Sequence, residues 1–142
     1  MIILAVDLGD ARTGLACCDK DELLASPVGT INETYAEHVL TQVAQTAAQR
    51  GAQQIIVGLP LNMNGTRGPR ADLCEEFARR LGEATDIPVR LWDERSTTVS
   101  AIGYLNATNT RGKRRKAVVD RLAATIILES YLLYRKNHPG EA

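Results

Sequence analysis

The stretch Ile2-Ile3-Leu4-Ala5-Val6-Asp7-Leu8-Gly9-Asp10-Ala11-Arg12-Thr13-Gly14-Leu15-Ala16-Cys17-Cys18 decides how the rest of the chain is read. Ile2–Val6 is a continuous apolar run, the pattern of a central strand buried on both faces. It stops at Asp7, and Gly9 and Gly14 follow, so the strand ends in a loop. Thr13–Cys18 and Leu23–Ile31 read as two further strands, joined by the polar turn Asp19-Lys20-Asp21. Connections this short predict an antiparallel meander.

Beyond the meander the hydrophobic period changes. Thr34-x-x-Glu37 reads as a capping box, with Val39, Leu40, Val43 and Ala47 on one helical face until Gly51. Gln54–Gly58 is an apolar strand. A Gly-, Asn- and Pro-rich loop over Asn62–Pro69 leads to a helix over Arg70–Leu81 that buries Ala71, Cys74, Phe77, Ala78 and Leu81. Pro88–Trp92 is a short strand ending at Asp93-Glu94, and Ser96 caps a helix through Tyr104. After a basic loop, a long helix over Lys116–Tyr134 turns Val119, Leu122, Ala123, Ile126, Ile127 and Ser130 inward. The order β-β-β-α-β-α-β-α-α predicts one α/β domain over residues 1–142, a mixed five-stranded sheet with helices on both faces.

The 142 residues and 15.5 kDa suffice for one core without disulfides or metals. With 44% hydrophobic and 24% charged residues, the composition is that of a soluble globular protein, and no apolar run is long enough to span a membrane. The first residues lack the basic segment and cleavage site of a signal peptide, so a cytoplasmic location is expected. Three cysteines, two of them adjacent, suit neither a disulfide framework nor zinc, and His38 and His138 have no ligand-spaced partners. Net charge is zero but unevenly spread. From Arg95 to Arg121, seven basic residues face one acid, Asp120, so this segment carries +6 and the remainder −6. A local basic patch of this kind suits an enzyme that meets a polyanion at one site.

Acids stand where such a domain exposes them together. Asp7 ends the first strand, Glu94 beside Asp93 ends the last, and Asp120 lies in the first turns of the final helix. Alone, each has a plainer role: a turn aspartate, a helix cap, an ion pair with Arg121, Lys116 or Arg12. Together, converging carboxylates repel unless a cation neutralises them, and hard oxygen ligands suit Mg2+ or Mn2+. Two such ions, ~3.5–4 Å apart, activate a water and stabilise the leaving oxygen of a phosphodiester. The loop Gly58–Pro69 opens onto a helix N-terminus where an anion could rest beside Arg67 and Arg70, but it lacks the Gly-Lys-Ser/Thr of a P-loop. The run Arg111-Gly112-Lys113-Arg114-Arg115-Lys116 precedes the helix carrying Asp120 and is expected to contact phosphates. With one Phe, one Trp and four Tyr, recognition of backbone and shape is expected over base stacking.

Four segments in order, Asp7-Leu-Gly9-Asp-Ala-Arg12-Thr-Gly14, Val57-Gly-Leu-Pro60-Leu-Asn62-Met-Asn-Gly65, Asp93-Glu94-Arg95-Ser-Thr97-Thr98 and Asp120-Arg-Leu-Ala123-Ala124, resemble the YqgF family of RuvX-like proteins in the ribonuclease H-like superfamily. The resemblance covers essentially the whole chain. It implies a ribonuclease H-like fold and a cytoplasmic, metal-dependent nuclease with Asp7, Glu94 and Asp120 as catalytic acids and ligands of Mg2+ or Mn2+, in a two-metal site. Asp93 belongs to the same motif and is a secondary metal-ligand candidate. Arg12, Asn62 and Arg95 are candidates for orienting phosphate, joined by Arg67 and by the run Arg111, Lys113, Arg114, Arg115 and Lys116. The implied partner is nucleic acid: precursor 16S ribosomal RNA processed at its 5′ end, on or off the ribosome, or alternatively a four-way DNA junction. A monomer or a homodimer is compatible with the pattern. A non-catalytic nucleic-acid or ribosome-associated module is the alternative of another class. The spacing Asp7-x-Gly9-x-x-x-x-Gly14 also resembles the phosphate loop of actin-like ATPases and sugar kinases, which need two related domains where this length supplies one.

Overall fold

A computed structural model describes residues 1–62, 64–93 and 112–139, with backbone alone over 112–121. At its centre is β1 (Ile3–Asp7), antiparallel to β2 (Arg12–Cys18) on one side and parallel to β4 (Gln54–Leu59) on the other. β3 (Ala25–Asn32) completes the meander beyond β2, and β5 (Val89–Asp93) runs parallel to β4, giving the order β3-β2-β1-β4-β5. The mixed five-stranded sheet expected from the sequence is what forms.

Alternation along the strands sorts side chains between two cores. Leu4, Val6, Leu15, Ile55 and Val57 pack with α1 (Ala36–Arg50) and α2 (Pro69–Ala84) on one face. Ile3, Ala5, Ala16, Cys18 and Ile56 pack with α3 (Gly112–Asn137) on the other. The apolar faces expected of α1 and α2 are the buried ones, including Val43, Ala47, Ala71 and Leu81, none of which is exposed. The first helix closes at Gly51, whose φ of 68° is the left-handed conformation glycine adopts without steric cost.

Several boundaries differ from the sequence expectation. β3 begins at Ala25, because the Asp19 carboxylate accepts the amides of Leu23 and Leu24 at 2.7 and 3.0 Å and curls them into the turn. The Thr34 capping box does not form. Tyr35 occupies the cap without a side-chain bond, and Glu33 instead accepts the amides of Thr34 and Tyr35 at 3.0 and 3.1 Å. α3 starts at Gly112 rather than Lys116, so the expected basic loop is largely helix: Lys and Arg are good helix formers, and no Gly or Pro interrupts 113–137. That preference outweighs the poor match of cations to a helix N-terminus. The buried stripe of α3 is partly shifted. Ile126 and Ile127 are buried as expected, joined by Ala124, Leu128 and Tyr131, whereas Leu122, Ala123 and Ser130 are half-buried. The fully buried ring of Tyr131 sets this phase, its hydroxyl donating to Gln54 Oε1 at 2.9 Å. The helix expected over 96–104 and the inward Val119 lie outside the described residues.

Candidate active site

Asp7 is the last residue of the central strand, in phase with Ile3 and Ala5, and so belongs to the face covered by α3. It is half-buried. Its neighbours across the sheet carry no side chains. Gly14 pairs with it directly from β2, and buried Gly58 stands one residue beyond the Val6–Val57 pair in β4. The carboxylate therefore ends a strand with glycine to either side, where larger residues would crowd any ligand.

The direction of α3 brings its N-terminal turns to this end. Its C-terminal half is pinned at the opposite end of the sheet, where Tyr131 reaches Gln54, the register partner of Ile3. Arg135 Nε donates to Glu22 Oε1 at 2.5 Å, and the Glu22 carboxylate also takes the N-terminal ammonium at 3.2 Å. From residue 131 back to 120 the helix rises about 16 Å. From Ile3 to Asp7 the strand advances about 13 Å. Position 120 thus lies at the level of Asp7. The side chain of Asp120 is outside the described residues, as are Glu94, Arg95 and Arg111 and the side chains of Lys113, Arg114, Arg115 and Lys116.

Strand parity separates Asp93 from Asp7. Val89 and Leu91 pack on the α1/α2 face, and Asp93 is in phase with them, so Asp93 and Asp7 lie on opposite faces of the sheet. Trp92 is on the α3 side. Its indole donates to Ser130 Oγ at 3.3 Å and meets Tyr131 and Tyr134 edge-on, fixing the last strand to the final helix. Among the described residues, no three His, Cys, Asp or Glu side chains gather as a metal site.

The candidate phosphate contacts divide. Arg12 is exposed and in phase with Gly14 and Ala16, on the Asp7 face. Asn62 is tied within its loop, donating to Thr66 Oγ1 at 2.9 Å, with Gly65 at a φ of 86° making the turn. Arg67 pairs with Glu75 and, at 3.6 Å, with Asp72, and so folds back along α2. Arg70 donates to the Leu8 carbonyl and to Asp10 at 2.8 Å. Sequence reasoning offered Arg70 as an anion partner. Its observed place is a brace on the turn that follows Asp7, a long-range role that no spacing reports. Gly9 is needed in the same turn, because a Cβ there would lie 1.9 Å from the Arg12 carbonyl oxygen. Away from this end of the sheet, burial pushes the Cys17 and Cys18 thiols up and so holds them inert.

The family model "RuvX: Holliday junction resolvase" matches residues 1–134. The chain belongs to the RuvX family. A relative from Chloroflexus aurantiacus, described as "Putative pre-16S rRNA nuclease", is 40% identical over 141 residues, covering 99% of this chain and 92% of that protein. One of the same description from Clavibacter michiganensis is 44% identical over 130 residues, covering 91% and 81%. Among solved structures, T. thermophilus RuvC in complex with Holliday junction substrate superposes with a TM-score of 0.63 at 11% identity over 97% of each chain. The fowlpox virus Holliday junction resolvase does so at 0.53 and 15% identity, over 94% of this chain and 99% of that one. These two likenesses concern the fold, which RuvX members therefore share with RuvC: it is ribonuclease H-like. No helix among the described residues is long and apolar enough to cross a membrane.

Proposed function

We propose that this chain is a cytoplasmic, metal-dependent nuclease that hydrolyses phosphodiesters in the 5′-end processing of precursor 16S ribosomal RNA. The observation that carries the reading is the placement of Asp7, half-buried on the α3 face between two glycines, with helix position 120 at its level. The name borne by relatives at about 40% identity supports the choice of RNA. Asp7, Glu94 and Asp120 are the acids assigned to the site. Strand parity puts Asp93 on the other face of the sheet from Asp7, which supports Glu94, the other acid of the motif, as the partner of Asp7.

The donor set fits a hard divalent cation: carboxylate oxygens, with glycine neighbours that leave room for an ion that keeps several waters. Asp7, Glu94 and Asp120 would hold Mg2+ or Mn2+, which when bound supplies an activated water and offsets charge on the leaving oxygen. The chain's own part is to orient and neutralise. Arg12 extends from the same face toward the neighbouring phosphate, and the basic first turns of α3 hold the flanking backbone. Arg70 keeps the Leu8–Asp10 turn, and hence the end of β1, in place. No histidine is assigned as a base.

The test compares wild type with Asp120→Asn, each with manganese, on single-stranded precursor RNA and on a four-way DNA junction. RNA cleavage that disappears in the variant supports the reading. Paired symmetric nicks in the junction would replace it with junction resolution. Binding without metal-dependent cleavage of either would make the chain a binding module.

A further inference from the structure

Among the described side chains, four arginines are half-buried: Arg70, Arg80, Arg90 and Arg135. Three of them meet a carboxylate, Arg70 with Asp10, Arg80 with Glu37 and Arg135 with Glu22. Arg90 has no carboxylate partner among the described residues. Its guanidinium instead lies over aromatic rings, 5.9 Å from the centre of Trp92 and 5.6 Å from that of Tyr131. Rings compensate a cation only in part, so a guanidinium drawn partly out of water without a carboxylate is matched to an anion from outside.

The rings beside Arg90 form a cluster. Trp92 meets Tyr131 and Tyr134 edge-on, and Tyr134 stacks on His138 with ring centres 4.1 Å apart. The chain has only six Phe, Trp and Tyr residues, yet three of them gather here. Trp92 is half-buried, so part of its indole faces solvent. Its place in the sheet is close to the candidate acids. Trp92 pairs with Gly58, and Gly58 stands beside Asp7, all three on the α3 face. Asp7 and Trp92 are therefore two strand spacings apart, about 10 Å, with only a glycine between them in that row.

We propose that Arg90 and Trp92 form a subsite for one nucleotide of a single-stranded RNA, its phosphate on the guanidinium and its base against the indole. The subsite rests on the nuclease reading, in that this nucleotide neighbours the one whose phosphate reaches Asp7. Stacking on an aromatic ring tolerates any sequence, because every base has a π face. The subsite thus selects an unpaired strand rather than a sequence: in a duplex the bases are stacked on one another and closed to the indole.

Trp92 is the chain's one tryptophan, so its emission reports on this subsite alone. The full chain is titrated in EDTA with a single-stranded oligouridylate, an abasic strand of equal length and an RNA duplex. The single strand is expected to quench the emission about twofold, whereas the abasic strand and the duplex, which offer phosphates without free bases, leave it nearly unchanged. Anisotropy of the labelled single strand reads the variants. Arg90→Gln is expected to weaken binding about tenfold and to flatten the dependence of log Kd on log salt by about 0.7, with Tm little changed. Trp92→Leu weakens binding about tenfold or more, and Trp92→Phe, which keeps a ring, stays within about threefold of wild type. Emission indifferent to the single strand overturns the proposal. So does equal quenching by the abasic strand or the duplex, or wild-type affinity and salt slope in Arg90→Gln. The expected quenching in a chain that cleaves no RNA with manganese would leave the subsite standing and remove the nuclease reading. Cleavage abolished by Asp120→Asn, without quenching by the single strand, would do the reverse.

Discussion

Asp7 and Gly14 stand directly opposite each other in the antiparallel pair β1–β2, on the sheet face that α3 covers. The pairing gives the carboxylate a neighbour without a side chain, and Gly58 repeats that condition on the β4 side. A strand end with this composition is poor packing, since glycine contributes no apolar contact and weakens a strand. In the proposed function it leaves room for a ligand.

Filling that room is therefore expected to disable the site without unfolding the chain. Gly14→Val places a β-compatible side chain at a half-exposed position beside Asp7. Manganese affinity, read by calorimetric titration, should fall by about tenfold or more, with Tm little changed.

Arg70 acts at a distance from the chemistry. Its bonds to the Leu8 carbonyl and Asp10 restrain the turn after Asp7, so Arg70→Ala is expected to lower kcat several-fold with KM nearly constant. Arg70→Lys recovers only part of the loss, because an ammonium does not reproduce the guanidinium fork. Single-turnover kinetics separate the two parameters.

At the other end of the sheet, the Arg135 guanidinium and then the N-terminal ammonium hold the Glu22 carboxyl below the usual carboxylate range. A lowered folded pKa stabilises the native state above the unfolded value, and the contribution disappears as pH falls through the folded one. Glu22→Gln is expected to cost about 1–2 kcal/mol at neutral pH. In urea unfolding, the gap between wild type and variant should close as the pH is lowered below the ordinary carboxylate range.

Tyr131 joins α3 to the start of β4 through Gln54. Removing the hydroxyl in Tyr131→Phe should cost about 1 kcal/mol. Removing the fully buried ring in Tyr131→Ala should cost about 3–5 kcal/mol. Denaturant titration measures both.

The parts of this fold legible in the sequence are those set by local periodicity. The apolar run of β1, the glycines after Asp7 and the four-residue rhythm of α1 and α2 each report their own burial. What was not legible depends on contacts distant in the chain. Asp19 captures the amides of Leu23 and Leu24, so two leucines that read as strand are turn residues facing outward. Tyr131 shifts the buried stripe of α3 through a bond to Gln54, and no hydrophobic pattern contains that pairing. At the candidate site, the residue types and their order were readable. The sorting of Asp7 and Asp93 to opposite faces was not, because it needs the register of β4 against β5.

That sorting is the most direct point of attack. Manganese binding is measured by titration for wild type, Asp7→Asn and Asp93→Asn, with cleavage of single-stranded precursor RNA followed in parallel. Asp7→Asn is expected to lose binding and to reduce cleavage by about a hundredfold or more, while Asp93→Asn stays within about threefold of wild type on both measures. Full manganese binding and cleavage in Asp7→Asn, or their loss in Asp93→Asn, would contradict this.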